Sequence, residues 1–450
     1  MPPTTVLTGP TLRDDVLSHS SPHGRVAVVD PLSTGTELVR AFRERGVEPL
    51  HVYDDPEWYR AAAADGNPAV LSRSVEETAE SLMARNVRTV VPGSEYGVAH
   101  ADALNARMGL DLHDPARSTA RRNKLGMMRE LERQGVPVPV TRSVRSAQEL
   151  EDVLGDLPGY PVFVKPSNAA GSDGCFTCRS AAEVRTAFYR IAGRRNLLRN
   201  LNDTVVIQEL LIGPQLIVNT VSHQGRHLLA DFQTARIDEV EGRPVYRNQR
   251  VVRTLTAQHR EVVDYAFRCL DGLGVRNGGA DTEIRLTDRG PLLVEVNARL
   301  MGATISHSAY TAALGHNQAD LIAERYVSPG RFERRLTEPY APHAALGTAF
   351  LHLPRKGTVL GMPGLDRLRA LPGFHGVTGI VPPGGRVEEP WLSCGQAGFA
   401  FFVHSDPGVV DESLRTLHAM EDRGEIYRVA YDEARTPAEA GAGAGGGSGR

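Results

Sequence analysis

Short apolar runs alternate with helical patterns in the first hundred residues. Residues 26–30 (VAVVD), 48–53 and 88–92 (RTVVP) each form an apolar run bounded by turn residues, which predicts buried strands. The turn PLSTG after the first run opens a helix that is predicted to reach about Arg45. Strands that alternate with helices are typical of a parallel α/β domain. The turns at 33–35 and 93–95 could line a crevice at the carboxyl ends of its strands, although each could equally be a plain tight turn.

Beyond residue 114 the predicted strands follow one another. A helix around residues 123–134 ends at Gly135, and the VPVPV segment after it must be extended because proline excludes helix. The next predicted elements are strands at 160–165, 175–179, 205–209, 215–222, 227–234, 278–286 and 291–297, and a helix at about 257–273. Short connections between them predict an antiparallel sheet. Residues 335–433 mix short strands with Gly-Pro turns, and the Gly-rich C-terminus is predicted to be a flexible tail.

Composition and charge indicate the class of protein. The 450 residues are 41% hydrophobic and 23% charged, which is typical of a soluble globular protein of two or three domains. A net charge of −3 gives no electrostatic reason to expect nucleic acid or a membrane surface as the main partner. No apolar run reaches the length of a membrane span, and four cysteines are too few for a disulfide framework. We therefore expect a cytoplasmic protein.

Lysine is almost absent from this arginine-rich chain. Only Lys124, Lys165 and Lys356 occur among 51 basic residues. Arginine replaces lysine on a solvated surface but not where a compact ammonium must enter a narrow site, so each lysine is a candidate for a specific role. For Lys356, in a loop-like segment, chance survival is the simpler interpretation.

Lys165 ends an apolar strand and is followed by a glycine-rich loop. The segment PSNAAGSDG contains Gly171, Ser172 and Gly174 and leads into the next strand. Backbone amides and one ammonium are thereby placed where a polyphosphate could sit, although the segment is not a P-loop. A plain hairpin turn fits the same residues.

Polar residues interrupt an otherwise apolar pair of strands near residue 290. Glu295 and Asn297, two positions apart on one strand, share a face, and the tight turn brings that strand against the one that carries Glu283. Carboxylate and amide oxygens are the ligands that Mg²⁺ prefers, and Arg299 on the same face could neutralise phosphate or an oxyanion. A surface hairpin with solvated charges is the alternative, but polar residues in the run PLLVEVN violate strand patterning and favour a functional site.

These segments, in this order, resemble the ATP-grasp ligases. The order of Lys124, VFVKP, GSDG, VIQELLIG, ADTEIRL and LLVEVNARLMG is similar to that superfamily, and the VVDP and PGSEYGV segments are similar to the L-amino acid ligases within it. The resemblance covers about residues 25–330. It implies an ATP-grasp fold (α+β grasp subdomains) with an N-terminal Rossmann-like parallel α/β domain. It also implies an ADP-forming enzyme that activates a carboxylate as an acyl phosphate, which an amine then attacks.

The resemblance also implies roles for individual residues. Lys124 and Lys165 would hold the ATP phosphates, and the loop with Gly171, Ser172 and Gly174 would close over them. Glu209 and the backbone of Leu211 would form the adenine-binding hinge. Glu283, Glu295 and Asn297 would bind Mg²⁺, with Mn²⁺ as a substitute, and Arg299 would steady the transferred phosphoryl group and the tetrahedral intermediate.

Three positions bear on nucleotide and substrate choice. Gln215 stands where the family usually has a ribose-binding Glu, so it can bind a hydroxyl but brings no charge. Asp281 stands where related ligases commonly have His, which could change the charge preferred in the substrate. Ala303 and its small neighbours after Arg299 would leave room beside the acyl phosphate for an amino-acid side chain.

Other residues carry weaker signals. Cys175 and Cys178 have the spacing of half a zinc site, but a strand would put them on opposite faces, so a structural role is preferred. His307 could contact substrate or be a satisfied polar residue near the core. Glu95 could bind a substrate amine or cap its helix.

The combined prediction is an ATP- and Mg²⁺-dependent ligase that joins small-molecule carboxylate and amine substrates such as amino acids. A homodimer is compatible with this prediction, which leaves the oligomeric state open. The alternatives are a carboxylase that uses bicarbonate and a non-catalytic ATP-binding regulatory protein. The expected domains are an N-terminal one at 1–113, the ATP-grasp subdomains at 114–334, a lid-like subdomain at 335–435 and a tail at 436–450.

Overall fold

The structure is a computed structural model that describes residues 24–302, 305–390, 392 and 396–432. Its first unit is a parallel sheet flanked by helices. The strands are β1 (Arg25–Val29), β2 (Leu50–Tyr53), β3 (Ala69–Leu71) and β4 (Val87–Pro92), and the helices are α1 (Gly35–Arg43), α2 (Pro56–Ala64), α3 (Val75–Ala84) and α4 (Val98–Met108). The order is β3-β2-β1-β4, and every paired strand is parallel. The predicted parallel α/β unit is therefore confirmed, and three-residue β3 was too short to be recognised.

Glycines let the loops after β1 and β4 pack closely. A Cβ on Gly35 would lie 2.3 Å from the carbonyl oxygen of Gly93, and a Cβ on Gly97 would lie 2.4 Å from that of Val29. Only glycine fits at such approaches. The two turns that the sequence singled out therefore meet at the carboxyl edge of the sheet.

A small antiparallel sheet follows. Its elements are α5 (Lys124–Arg133), β5 (Thr141–Val144), α6 (Ala147–Gly155), β6 (Val162–Pro166), β7 (Phe176–Cys178), α7 (Ala181–Ile191) and β8 (Val205–Glu209). The sheet order is β5-β8-β6-β7. Asn123 caps α5 by accepting a 2.9 Å hydrogen bond from the Gly126 amide, and this fixes where Lys124 enters the helix.

The largest sheet within the described residues has eight antiparallel strands. They are β9 (Gln215–His223), β10 (Arg226–Val240), β11 (Arg243–Val251), β12 (Gly278–Thr287), β13 (Gly290–Asn297), β14 (Ala345–Leu351), β16 (Phe374–Thr378) and β18 (Gly398–His404). Their order is β13-β12-β9-β10-β11-β14-β18-β16. Helix α8 (Ala257–Gly272) packs on one face through Val262, Ala266 and Leu270. The prediction ended β10 six residues early and missed β11.

The remaining elements surround this sheet. They are α9 (His307–Leu314), α10 (Gln318–Val327), α11 (Pro329–Arg335), α12 (Leu365–Arg369), α13 (Pro407–Asp422), β15 (Gly357–Gly361), β17 (Arg386–Val387) and β19 (Arg428–Tyr431). Helix α13 was not expected in a segment read as short strands. Strands β14, β16 and β18 continue the sheet formed by residues 215–297, so the sheet itself runs across the expected boundary at 335. The predicted tail lies outside the described residues.

No helix in the described part of the chain is long and apolar enough to cross a membrane. The first unit is joined to the rest through a shared core in which Leu38 and Phe42 of α1 cluster with Leu321 and Ile322 of α10. Burial of these apolar side chains holds the parallel sheet beside the eight-stranded one.

Candidate active site

A cavity of about 500 Å³ lies where the parallel unit, the small sheet and the eight-stranded sheet meet. Most of the residues that the sequence singled out line it. They are Glu95, Lys124, Lys165, Gly171, Ser172, Glu209, Leu211, Gln215, Asp281, Glu283, Glu295, Asn297 and Arg299. The fold therefore gathers into one cleft residues that lie up to 204 positions apart in the chain, such as Glu95 and Arg299.

Two cross-strand pairs of polar residues lie side by side on the β12–β13 hairpin. Glu283 is opposite Glu295 and Asp281 is opposite Asn297, and alternation along each strand puts all four side chains on one face. The Asn297 amide donates to Glu295 Oε1 at 3.2 Å. The hairpin predicted from the sequence thus brings together the carboxylates of Glu283 and Glu295 and the amide of Asn297.

The two lysines approach this acidic group from different elements. Lys124 is the first residue of α5, and its Nζ lies 2.8 Å from Glu295 Oε2 and 2.6 Å from the carbonyl oxygen of Ala169. Lys165 on β6 donates to Gln208 Oε1 at 3.1 Å. Burial lowers the pKa of Lys165, and the charge of Lys124 lowers it further. Burial acts on Lys124 in the same direction, but the nearby Glu295 carboxylate outweighs it and raises the pKa of Lys124.

The paired carboxyl groups have opposite protonation tendencies. Burial, with the charges of Glu295 and Asp281, raises the pKa of Glu283 to about 8. Burial also disfavours the charged form of Glu295, but Lys124 prevails and lowers the pKa of Glu295 to about 2. Because its acidic neighbours favour protonation of Glu283, binding of a cation beside this carboxyl group is strongly favoured.

This donor set fits a hard divalent cation. Two carboxylates and one amide oxygen on adjacent strands are suitable Mg²⁺ ligands that leave positions for phosphate oxygens. Within the described residues, no three His, Cys, Asp or Glu side chains are grouped to hold a metal by themselves. Metal binding here would therefore depend on Asn297 and on ligand oxygens as well as on Glu283 and Glu295.

Arg299 is held by carboxylates from two units. Its Nε donates to Glu95 Oε2 at 2.8 Å, and its Nη1 donates to Asp281 Oδ2 at 2.8 Å. Arg122 also reaches Glu95, with Nη1 at 3.0 Å from Oε1. Burial would lower the pKa of Arg299, but Glu95 and Asp281 outweigh it and raise that pKa, so the guanidinium is charged and fixed in direction. Glu95 therefore orients Arg299 in this structure.

The segment between β8 and β9 connects the small sheet to the large one. Glu209 Oε1 accepts a 2.8 Å hydrogen bond from the Val140 amide, and Glu209 Oε2 lies 2.6 Å from Nη2 of Arg289 in the β12–β13 turn. Gly213, at φ +138°, is required because a Cβ there would lie 2.0 Å from the carbonyl oxygen of Leu286. Leu211 lines the cavity beside this connection.

Tyr246 is a site residue that the sequence reasoning missed. Its hydroxyl donates to Glu283 Oε2 at 2.6 Å, and Gln215 Nε2 donates to the same oxygen at 2.6 Å. The residue lies on β11, which was not predicted, although apolar Val245 and Val251 are spaced as one face of a strand. Gln215 therefore orients a predicted metal ligand as well as facing the cavity.

The glycine-rich loop covers the cavity near the lysines. Gly171, Ser172 and Gly174 all have positive φ, of +66°, +63° and +69°. Gly174 is not among the described cavity-lining residues; a Cβ there would lie 2.9 Å from Pro166 Cγ, so it serves close packing. Cys175 also lines the cavity, and burial raises the pKa of its thiol to about 11, whereas Cys178 lies in the core of the small sheet.

One tentative substrate residue, His307, is not brought to this cavity by the described structure. His307 begins α9, where its Nδ1 lies 3.2 Å from Asn317 Nδ2, and it is absent from the described cavity lining. This position agrees with the alternative interpretation of His307 as a satisfied polar residue. Ala303 lies outside the described residues.

Comparisons with known proteins agree with this geometry. Residues 121–303 match the model of an ATP-grasp domain. Dapdiamide A synthase of Enterobacter agglomerans is 26% identical over 406 residues, which cover 88% of this chain and 95% of that protein. The crystal structure of L-amino acid ligase from Bacillus licheniformis superposes with a TM-score of 0.71 and 18% identity, covering 91% of this chain and 99% of the other.

Carboxylating enzymes share the fold at a greater distance. N5-carboxyaminoimidazole ribonucleotide synthetase from Thermus thermophilus superposes with a TM-score of 0.62 and 17% identity, over 88% of this chain and 98% of its own. The predicted fold is confirmed: the chain has the ATP-grasp fold, with a parallel α/β unit before the matched ATP-grasp domain, and it resembles L-amino acid ligase in fold.

Proposed function

We propose that the protein is an ATP- and Mg²⁺-dependent ligase that joins the carboxylate of one amino acid, or a similar small molecule, to an amine. The observation that carries this proposal is the single cavity in which Glu283, Glu295 and Asn297 lie beside Arg299 and the two lysines Lys124 and Lys165. Phosphoryl transfer depends on positioning and charge neutralisation more than on covalent chemistry from the protein, and this cavity supplies both. The similarity of the chain to dapdiamide A synthase and to an L-amino acid ligase supports the same reaction class.

The proposed reaction has two steps, and different residues act in each. Lys124 and Lys165 hold the ATP phosphates, and the loop with Gly171 and Ser172 covers them. When bound by Glu283, Glu295 and Asn297, Mg²⁺ neutralises phosphate charge. The substrate carboxylate attacks the γ-phosphorus, which gives an acyl phosphate and ADP.

Arg299 acts in the second step. The amine attacks the acyl carbon, the C–O bond to phosphate breaks, and the products are an amide, phosphate and a proton. The oxyanion that forms on the acyl oxygen is stabilised by the fixed guanidinium of Arg299. Glu95 and Asp281 position that guanidinium, so they act on the oxyanion through Arg299.

Adenosine binding uses the connection between the two sheets. Leu211 and its neighbours form the wall against the adenine ring, and Gln215 can bind a ribose hydroxyl from the same strand end that orients Glu283. The side chain of Glu209 holds the connection in place through Val140 and Arg289.

The test is phosphate release from Mg²⁺-ATP by the purified protein with amino acids, singly and in pairs. Hydroxylamine traps the acyl phosphate, and bicarbonate forms a separate arm. We expect release that requires an amino acid and falls at least about 100-fold in Glu295→Gln, because one metal ligand and the partner of Lys124 are lost together. Glu412→Gln, a change in an exposed ion pair on α13, is the matched control. Release with bicarbonate alone would replace the ligase proposal with a carboxylase, and ATP binding without stimulated turnover would indicate a regulatory ATP-binding protein.

A further inference from the structure

A row of polar side chains continues from the active site across the large sheet. Asp281 on β12 pairs with Asn219 on β9, and Asn219 pairs in turn with Asp231 on β10. Cross-strand neighbours point to the same face, so the row leads from the carboxylate that binds Arg299 to a second, deeper carboxylate. Gln233, two residues after Asp231, lies on that face as well.

Met301 separates this deeper group from the cavity. It lines the cavity and is 3% exposed, while Asn219, Asp231 and Gln233 behind it are at most 1% exposed. Its sulfur lies 3.0 Å from Asn219 Nδ2 and 3.8 Å from the hydroxyl of Tyr310, which closes the far side. A methionine side chain is flexible, and its sulfur is only a weak hydrogen-bond acceptor, so Met301 can move away from these polar groups at little cost.

The side chains of Asn219, Asp231 and Gln233 behind Met301 offer more hydrogen-bond acceptors than donors. Asn219 Nδ2 and Gln233 Nε2 both donate to the same oxygen of Asp231, Oδ1, at 2.7 Å. Asn219 Oδ1 is fully buried and has no hydrogen-bond partner among the described residues. Burial raises the pKa of Asp231 to about 6, the charge of Asp281 adds to this rise, and the hydrogen bonds from Gln233 and Asn219 oppose it. A buried carboxylate and an orphan carbonyl together favour a ligand that brings N–H donors and positive charge.

We propose that Asp231, Asn219 and Gln233 form a side-chain pocket behind Met301 and that this pocket selects amino-acid substrates whose side chain ends in an amino group. The inference rests on the proposed ligase function, since it assigns the side-chain selectivity of the same cavity. Met301 moves aside and the substrate ammonium takes the place of its sulfur against Asp231 and Asn219 Oδ1. Two strand spacings, about 10 Å, separate Asp231 from Asp281, so a side chain of three or four methylenes fits best.

Matched substrate pairs test the pocket. Each pair exchanges a terminal ammonium for a methyl group at constant length: 2,4-diaminobutyrate and norvaline, ornithine and norleucine, lysine and 2-aminoheptanoate. The measurement is kcat/KM from phosphate release with a fixed second amino acid. We expect the ammonium member of each pair to be preferred at least about 10-fold, and most strongly for ornithine or lysine. A preference of this size corresponds to at least one good charge-assisted hydrogen bond.

Two variants and one control separate the pocket from the chemistry. Asp231→Asn keeps the shape and an acceptor for Asn219 and Gln233, and is expected to reduce the preference to below about 3-fold, mainly because kcat/KM for the ammonium member falls. Met301→Ala removes the cover without touching the carboxylate, and is expected to lower KM for lysine several-fold. Thr282→Val is the control, because Thr282 lies between Asp281 and Glu283 in sequence but on the opposite face, and its hydroxyl has no hydrogen-bond partner among the described residues.

The outcomes distinguish failure of the pocket from failure of the ligase. Equal kcat/KM within every pair, or an unchanged preference in Asp231→Asn, overturns the pocket while the ligase stands. If no amino acid stimulates ATP turnover, the ligase proposal fails, and calorimetric binding of ornithine and norleucine to wild type and Met301→Ala then decides the pocket. Preferential binding of ornithine that Met301→Ala strengthens supports it, and equal binding rejects it.

Discussion

Lys124 Nζ lies 2.8 Å from Glu295 Oε2 and 2.6 Å from the carbonyl oxygen of Ala169, so one ammonium joins the start of α5, strand β13 and the glycine-rich loop. The backbone adds to this junction, because the Lys124 amide donates to the carbonyl oxygen of Ser167 at 2.8 Å. A point charge on a flexible stem suits a position with three neighbours in different directions. This geometry explains why an arginine-rich chain has lysine here.

Replacement of Lys124 tests that junction. We expect Lys124→Met to lower kcat at least about 100-fold and to raise KM for ATP, because the partly buried cation proposed to bind the phosphates is lost and Glu295 loses its partner. Lys124→Arg is expected to recover little, since a planar guanidinium does not fit the same three contacts. Steady-state kinetics with varied ATP makes the measurement. Lys356→Met, at a half-exposed lysine beside Asp432, is the control, and an equal loss in both variants would contradict the assignment.

The turn at residues 196–200 docks the small sheet onto the parallel unit. The Arg199 guanidinium pairs with Asp55 and lies 5.3 Å from the ring centre of Trp58, which packs edge-on against Tyr96. The Leu197 amide donates to Asp173 Oδ2 in the glycine-rich loop at 2.8 Å. Docking of this turn is therefore coupled to the position of the loop.

Removal of the docking contact should affect nucleotide binding more than chemistry. We expect Trp58→Ala to raise KM for ATP about 3- to 10-fold, since a cation–π contact and an aromatic pair of about 1 kcal/mol each are lost. The expected change in kcat is smaller. Arg185→Ala, in an exposed ion pair elsewhere on the same small sheet unit, should leave both parameters unchanged. An unchanged KM in Trp58→Ala would show that the turn does not control the loop.

Arg121 is a buried structural cation. Its Nη2 lies 2.8 Å from Asp102 Oδ2 on α4, and its Nη1 donates to the carbonyl oxygens of Asp114 and Leu273 at 2.8 and 3.0 Å. Arg121→Met leaves the Asp102 charge buried, so we expect a loss of about 3–5 kcal/mol in the free energy of unfolding. Asp102→Asn in the same background should restore part of it. Urea denaturation of wild type, Arg121→Met, Asp102→Asn and the double variant gives the coupling, and additive losses would contradict a direct pair.

Asp30 predicts a pH dependence of stability. It is buried after β1, and burial, with the charges of Asp54 and Asp55, raises its pKa to about 7. Folding therefore favours its protonated form, and this contribution is complete below the ordinary pKa of 3.8 and is lost as pH rises through about 7. Between pH 5 and 8 we expect wild type to lose about 2–3 kcal/mol relative to Asp30→Asn.

Thermal or urea unfolding at both pH values makes this measurement. Asparagine is the suitable replacement because residue 30 has φ +48°, a conformation that Asn tolerates. Parallel stability profiles of the two proteins would show that Asp30 titrates normally.

The sequence by itself determined the local elements and the chemistry within one hairpin. Alternation along β12 and β13, joined by a tight turn, was sufficient to place Glu283, Glu295 and Asn297 on one face. Strand-and-turn patterns also predicted β1, β6 and β8, because those runs are long and apolar with clear boundaries. The scarcity of lysine in this arginine-rich chain was sufficient to single out Lys124 and Lys165.

Only the tertiary structure decided which distant segments meet. The role of Tyr246 on the unpredicted β11 and the burial of Asp231 behind Met301 depend on the strand order β12-β9-β10-β11. The pairing of Glu95 with Arg299 depends on the packing of the parallel unit beside the eight-stranded sheet. Local periodicity reports which face of an element is buried, but it contains no information on which element lies beside it. That choice is made by packing of whole sheets and by satisfaction of buried polar groups, which act between residues far apart in the chain.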